Sequence, residues 1–214
     1  MDNTIYKNRR NNLEKSLPEN SVLLIPGADM QYRNADSAYA FRQDSSFYYF
    51  SGFSEPASLI AIVNNKEGIS SIVFVQPKDN LKEIWDGNRA GPIGAVDEFL
   101  FDKAYDNTQI DTMMPDILSG SSQVLYAIGK KSGFDQKVID WSTNASSKDR
   151  HSKSINIIDA SSLIGNARLI KDEHEINLIR KACNISAEAH IEACLLYTSP
   201  SPRDRTRSRM PSSA

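Results

Sequence analysis

The side chains best suited to hold a metal are three histidines, His151, His174 and His190, and the carboxylates near them. A zinc-hydrolase helix needs two His four residues apart, with a Glu beside the first, so that both imidazoles project from one face. Glu173-His174-Glu175 supplies half of that pattern, and no second His follows four residues later. His190 stands sixteen positions on, on a different face of any helix. All three histidines therefore read as solvent-facing polar positions. Nucleophilic chemistry is no better supplied. No Gly-x-Ser-x-Gly elbow occurs, and Ser119-Gly120-Ser121-Ser122 reads as a loop. Gly91-Pro92-Ile93-Gly94 is too short to cradle a phosphate and carries Pro where a backbone donor is needed. Cys183 and Cys194 lack a Cys-x-x-Cys spacing and make no disulfide framework, which fits a reducing compartment. The expectation is a chain with no catalytic and no metal-ligating residue of its own: a binding domain, or part of a longer protein whose chemistry lies elsewhere.

One segment stands out, residues 35–56. Tyr39, Phe41, Phe47-Tyr48-Tyr49-Phe50 and Phe53 crowd a short span that also holds Arg42. It reads as a loop delivering a strand with aromatics on both faces. Such a strand is either covered on both sides or presents an aromatic, polar surface to a partner or a ligand mouth.

The elements around it alternate in type. A charged helix spans Ile5 to Leu17 and is broken at Pro18. Val22-Leu23-Leu24-Ile25, closed by Pro26-Gly27, suits a buried strand. Leu59–Val63 and Ile69–Val75 read as a hairpin across Asn64–Gly68. Gly91-Pro92 and Gly94 mark a loop. Asp106–Leu118 is a predicted helix that Pro115 weakens, Val124–Ile128 a strand, Asp135–Trp141 a helix and Ile155–Ile158 a last strand. This alternation predicts an α/β domain with a mixed β-sheet flanked by helices. A second unit begins near Asn166. Asp172 and Glu175 form a capping box that opens a helix running from about Glu173 to about Glu192, with Ile176, Ile179 and Cys183 on one face.

Length and charge exclude further classes. The 214 residues suffice for one good-sized domain, or for one domain and the start of another. No run approaches the roughly 20 apolar residues of a membrane span, and residues 1–12 lack the apolar core of a secretory signal. A cytoplasmic location and no membrane partner follow as expectations. The first 194 residues carry 21 basic and 26 acidic groups, with the cations scattered rather than striped, which predicts no nucleic-acid partner. Composition changes abruptly in residues 194–214, where Ser, Pro and four Arg predominate. That stretch reads either as a basic, disordered arm or, as we prefer, as a non-native tail, since it resembles translated sequencing-adapter read-through.

The aromatic segment also carries a resemblance. Asp36, Ser37, Tyr39, Arg42, Gln43, Ser46, Phe47, Tyr49, Gly52, Phe53, Glu55 and Pro56 follow a pattern similar to the N-terminal domain of aminopeptidase P. Glu83-Ile84-Trp85-x-Gly87 is a second match, and Arg168-Leu169-Ile170-Lys171 with Glu175-Ile176 and Arg180-Lys181-Ala182 a third. The resemblance implies a creatinase-type α/β domain over residues 1–165, then the linker and first helix of a truncated pita-bread catalytic domain over 166–193. It implies a Xaa-Pro aminopeptidase that releases the residue before proline, uses two Mn2+ ions, acts on peptides with proline in second position and assembles as a homo-oligomer. The manganese ligands of the family are expected after residue 193, so the chain itself is expected to be inactive and to hold no metal. Its N-terminal part would serve domain packing, oligomerisation and access to the active site. Three residues map near a substrate entrance or interface: Trp85, which either reaches a neighbouring subunit or packs in a core; Asp36, an interface acid or a turn cap; and Arg150, an entrance residue or a solvated charge. Arg42 reads as a structural hydrogen-bond donor. A Xaa-Pro dipeptidase (prolidase) fragment and a non-enzymatic creatinase-like interaction domain are the alternatives.

Overall fold

The computed structural model describes residues 3–35, 37–147 and 154–197. The chain divides into two compact units, Met1–Ala167 and Arg168–Ala214. The first is built on six strands: β1 (Ser21–Pro26), β4 (Leu59–Asn65), β5 (Gly68–Val75), β6 (Lys103–Asp106), β7 (Gln123–Tyr126) and β8 (Asn156–Asp159), in the order β6-β5-β4-β1-β7-β8. β4 runs antiparallel to both β1 and β5, while β1–β7, β7–β8 and β5–β6 are parallel. This is the mixed sheet that alternation of elements foretold. Two short strands, β2 (Tyr32–Asn34) and β3 (Ser37–Ala38), pair separately.

Val22, Leu23, Leu24 and Ile25 are all fully buried, because both faces of β1 are covered and successive side chains point to opposite sides. Leu23 and Ile25 join one core with Ile60, Ile62, Val73 and Val75; α1 (Thr4–Glu14), α2 (Ser45–Ser51), α4 (Gly91–Asp97) and α7 (Ser161–Ala167) cover it through Leu13, Phe47, Phe50, Ala95 and Ile164. Val22 and Leu24 join the other with Leu59, Ala61 and Phe74, under Met114 and Leu118 of α5 (Ile110–Leu118) and Val138, Trp141 and Ala145 of α6 (Ser132–Ser147). The unit is thus helices, sheet, helices in three layers.

Two readings of the sequence fail here. Phe47–Phe50 is helix, not strand. The Asp44 carboxylate accepts the Ser46 and Phe47 N–H groups at 2.9 and 3.0 Å, which caps α2, and Gly52 ends it at φ 68°. Any Cβ at Gly52 would lie 2.4 Å from the Tyr6 ring, so glycine is required there twice over. Gly91-Pro92 likewise opens a helix: Pro at the first turn has no donor to lose, and its φ suits α4. β6 and α7 carried no signal in the sequence. α5 is entered through a single 3-10 turn, Asn107–Gln109, and tolerates the buried Pro115.

A buried cation fastens α1 to this framework. Arg10 is 1 % exposed. Its guanidinium donates to the Phe50 carbonyl at 2.8 Å and to the Phe99 and Leu100 carbonyls at 3.0 and 2.7 Å, and lies 3.9 Å over the Phe101 ring. Burial lowers its pKa to about 10, against the pull of Asp102 and Glu14.

The second unit consists, among the described residues, of a short lead and α8 (Glu173–Tyr197). The capping box is formed as expected: Glu175 N–H donates to Asp172 Oδ1 at 2.8 Å, and Asp172 N–H to Glu175 Oε2 at 3.2 Å. The helix runs five residues past its expected end. Leu178, Ile179, Ile185 and Ile191 are exposed on it.

Arg10→Met, which keeps the volume but leaves three carbonyls without a donor, is expected to lower unfolding stability by about 3 kcal/mol. Urea denaturation of the variant and the parent checks this.

Candidate functional site

Between β5 and α4 the chain projects α3 (Asn80–Asp86). Its start is set by Asp79, whose carboxylate accepts the Leu81 and Lys82 N–H groups at 3.1 and 3.2 Å. These bonds hold the Asp79 carboxyl below its ordinary range. Its end is set by Gly87, at φ 89°. The helix is seven residues long and has three large apolar side chains at i, i+3 and i+4 spacing: Leu81, Ile84 and Trp85. All three face solvent, at 77, 73 and 88 % exposure. Among the described residues neither a core nor a hairpin covers Trp85.

What fixes α3 is its return to the body. Glu83 Oε1 accepts the Arg89 N–H at 3.3 Å, and Glu55 Oε1 accepts the Ala90 N–H at 2.7 Å. Glu55 Oε2 is buried with no hydrogen-bond partner among the described residues. Burial raises the Glu55 carboxyl above its ordinary value, opposed by the Ala90 N–H and the Arg89 charge. Gln43 holds the Glu55 segment in turn: its Nε2 donates to the Glu55 carbonyl at 2.8 Å, while its Oε1 accepts the Ala28 and Asp44 N–H groups at 2.6 and 2.9 Å. Gln43 and Glu55 are motif residues, and the geometry gives them a mechanical task that the sequence did not reveal.

The rest of the aromatic segment mostly builds the core. Phe47 and Phe50 are fully buried and Phe53 is 1 % exposed, whereas Tyr39 and Tyr48 are exposed. Arg42 differs from its expected structural role. It is exposed and makes no hydrogen bond or ion pair among the described residues. Asp36 and Arg150 lie outside the described residues, as does His151. The structure therefore places Trp85 alone of the three expected site residues. His190 Nδ1 lies 2.8 Å from the Ser186 carbonyl of its own helix. Among the described residues no three His, Cys, Asp or Glu side chains come together in a way that could hold a metal ion. No described helix is long and apolar enough to cross a membrane.

Comparison with known proteins gives one consistent answer. The family model for the aminopeptidase P N-terminal domain matches residues 6–126. The Xaa-Pro aminopeptidase of Haemophilus influenzae is 30 % identical over 188 residues, covering 88 % of this chain and 42 % of that protein. The Xaa-Pro aminopeptidase of Escherichia coli is 30 % identical over 191 residues, covering 88 and 43 %. The solved structure of Pseudomonas aeruginosa aminopeptidase PepP is similar with a TM-score of 0.84 and 34 % identity, covering 90 % of this chain and 44 % of that one. The chain thus spans less than half the length of the relatives it matches.

Glu55 is ionised more easily in the unfolded chain than in the folded one, so the folded state binds more protons between the two pKa values. Its contribution favours folding below the ordinary value of 4.5 and is lost as pH rises through the raised one. Glu55→Gln keeps an acceptor for Ala90 without the charge. The melting temperature of this variant relative to the parent is expected to be more favourable at neutral pH than in acid, as read by circular dichroism.

Proposed function

As the chain belongs to the aminopeptidase P N-terminal domain family, we propose that it is the N-terminal portion of a manganese-dependent Xaa-Pro aminopeptidase, serving domain packing, self-association and access to an active site. The observation that supports this reading most directly is α3. A helix with Leu81, Ile84 and Trp85 all exposed, on an arm fixed by Glu55 and Glu83, is shaped to be covered by another surface. Trp85 would be its anchor, since a large aromatic buries the most area for few ordered torsions. Asp36 and Arg150 belong to the same proposal as interface or entrance residues. The covering surface is a second copy of the chain in a homo-oligomer.

The substrates of the whole protein would be peptides with proline in second position, handled in the cytoplasm. Paired manganese ions would supply a metal-activated water in such an enzyme. The described residues of this chain do not fit that centre, because no three candidate ligands converge, and no chemical step is assigned to them. Residues 1–165 would form the creatinase-type domain, residues 166–193 the linker and first helix of a pita-bread domain, and residues 194–214 a non-native tail. The names borne by the relatives favour the aminopeptidase over a dipeptidase or a non-enzymatic domain.

Two outcomes test this. The purified chain with Mn2+ is expected to release no N-terminal residue from an Xaa-Pro peptide; measurable turnover would refute the reading. In sedimentation velocity the parent is expected to self-associate and Trp85→Ala to shift toward the monomer, with no loss of melting temperature because Trp85 is 88 % exposed.

A further inference from the structure

A second feature lies apart from α3, at the carboxyl ends of the parallel strands. β5 passes to β6 through α4 on one face of the sheet, and β7 passes to β8 through α6 on the other. Crossovers that leave in opposite directions on opposite faces open a crevice where they part, and ligands of open α/β sheets bind in such crevices. Here the crevice falls beside β1. A cleft of about 730 Å³ is lined by the chain leaving β1, the residues that lead into β4 at Leu59 and the first turn of α6. That volume suits a small organic molecule.

Its lining has a definite polarity. Three cations border it, Arg42, Lys131 and Lys137, against one carboxylate, Asp29. Lys131 Nζ donates to the Gly27 carbonyl at 2.5 Å and lies 3.4 Å from Asp29 Oδ2, which pins it at the mouth with its charge partly met. Lys137 meets Asp111 at 3.2 Å. Arg42 has no partner among the described residues, so its charge is uncommitted. Ser132 and Gly133 line the cleft as the opening residues of α6, whose first N–H groups lack intrahelical acceptors. The opposite character comes from Phe134 and Trp141, which meet edge to face with centroids 5.8 Å apart. The Trp141 indole N–H donates to Asp111 Oδ1 at 3.1 Å, which fixes that wall.

We propose that this cleft binds a small organic anion, a flat apolar body carrying one carboxylate or phosphate group. The anionic group sits between Arg42 and Lys131, and the apolar body lies against Phe134 and Trp141. A neutral molecule of the same shape leaves the Arg42 charge unmet and binds more weakly.

The full chain, titrated with benzoate, phenyl phosphate and benzyl alcohol, provides the test. Its two tryptophans give separate indole N–H resonances, so that of Trp141 reports the cleft while that of Trp85 serves as an internal control. At least one of the two anions is expected to shift the Trp141 resonance saturably, with benzyl alcohol about tenfold weaker, the value of one charge-assisted hydrogen bond. Tighter binding of benzoate assigns a carboxylate ligand, and of phenyl phosphate a phosphate. Arg42→Gln, a substitution that disturbs no hydrogen bond or ion pair among the described residues, is expected to weaken binding about tenfold, while Lys66→Gln in the β4–β5 turn leaves it unchanged. No saturable shift with either anion, equal binding of benzyl alcohol, or an unaltered Arg42→Gln affinity would each overturn the proposal.

Discussion

A guanidinium taken out of water must be met by acceptors, and Arg10 is met by three carbonyls from two distant stretches of chain. One is the last turn of α2, whose free carbonyls need donors; the others belong to the turn that leads from α4 to β6. Asp102, whose charge acts on it most strongly, is engaged with the Ser71 N–H and hydroxyl at 2.7 Å each. The cation is held by dipoles and by the face of Phe101, so its geometry is set by backbone rather than by mobile side chains. Remove it, and α1, α2 and the entry to β6 lose their common fastening.

That fastening explains why α3 can project. The chain from β5 to β6 is fixed at its far end by Arg10 and in its middle by Glu55 at Ala90. Between β5 and Ala90 it has no need to pack on the core. Its apolar residues are then available for an outside surface, and the same rigidity that spares them holds them in one orientation. Glu55 bears the cost, with one carboxylate oxygen buried and unmatched among the described residues.

Much of the sheet was legible. Val22–Ile25, Leu59–Val63 and Ile69–Val75 are β-rich runs bounded by turn residues, and period and length agree there. Phe47–Phe50 misled because aromatic residues favour strands, while the deciding groups were one Asp before the run and one Gly after it. Gly91-Pro92 misled because the same pair can end one helix or start another, and only the residues C-terminal to it decide between the two. β6, Lys-Ala-Tyr-Asp, lacks the apolar run that marked β7 and β8, and α7, at seven residues, is too short to show a period. Trp85 was visible only through resemblance; nothing in its own neighbourhood told exposure from burial. The cleft was invisible because Arg42, Lys131 and Trp141 are brought together by topology, across about a hundred positions that no local pattern connects.

The placement of β1 sets an order of events. One of its edges bonds to β4, about forty residues downstream, and the other to β7, about a hundred. A ribosome delivers the first partner well before the second. The antiparallel trio β1-β4-β5 can therefore close early, while the far rim of β1, four apolar residues long, stays unzipped until Tyr126 has emerged. During that interval the nascent polypeptide offers other chains a bare strand, the template on which aggregates grow. Synthesis of residues 66–126 is thus the stretch of time over which that rim stays open.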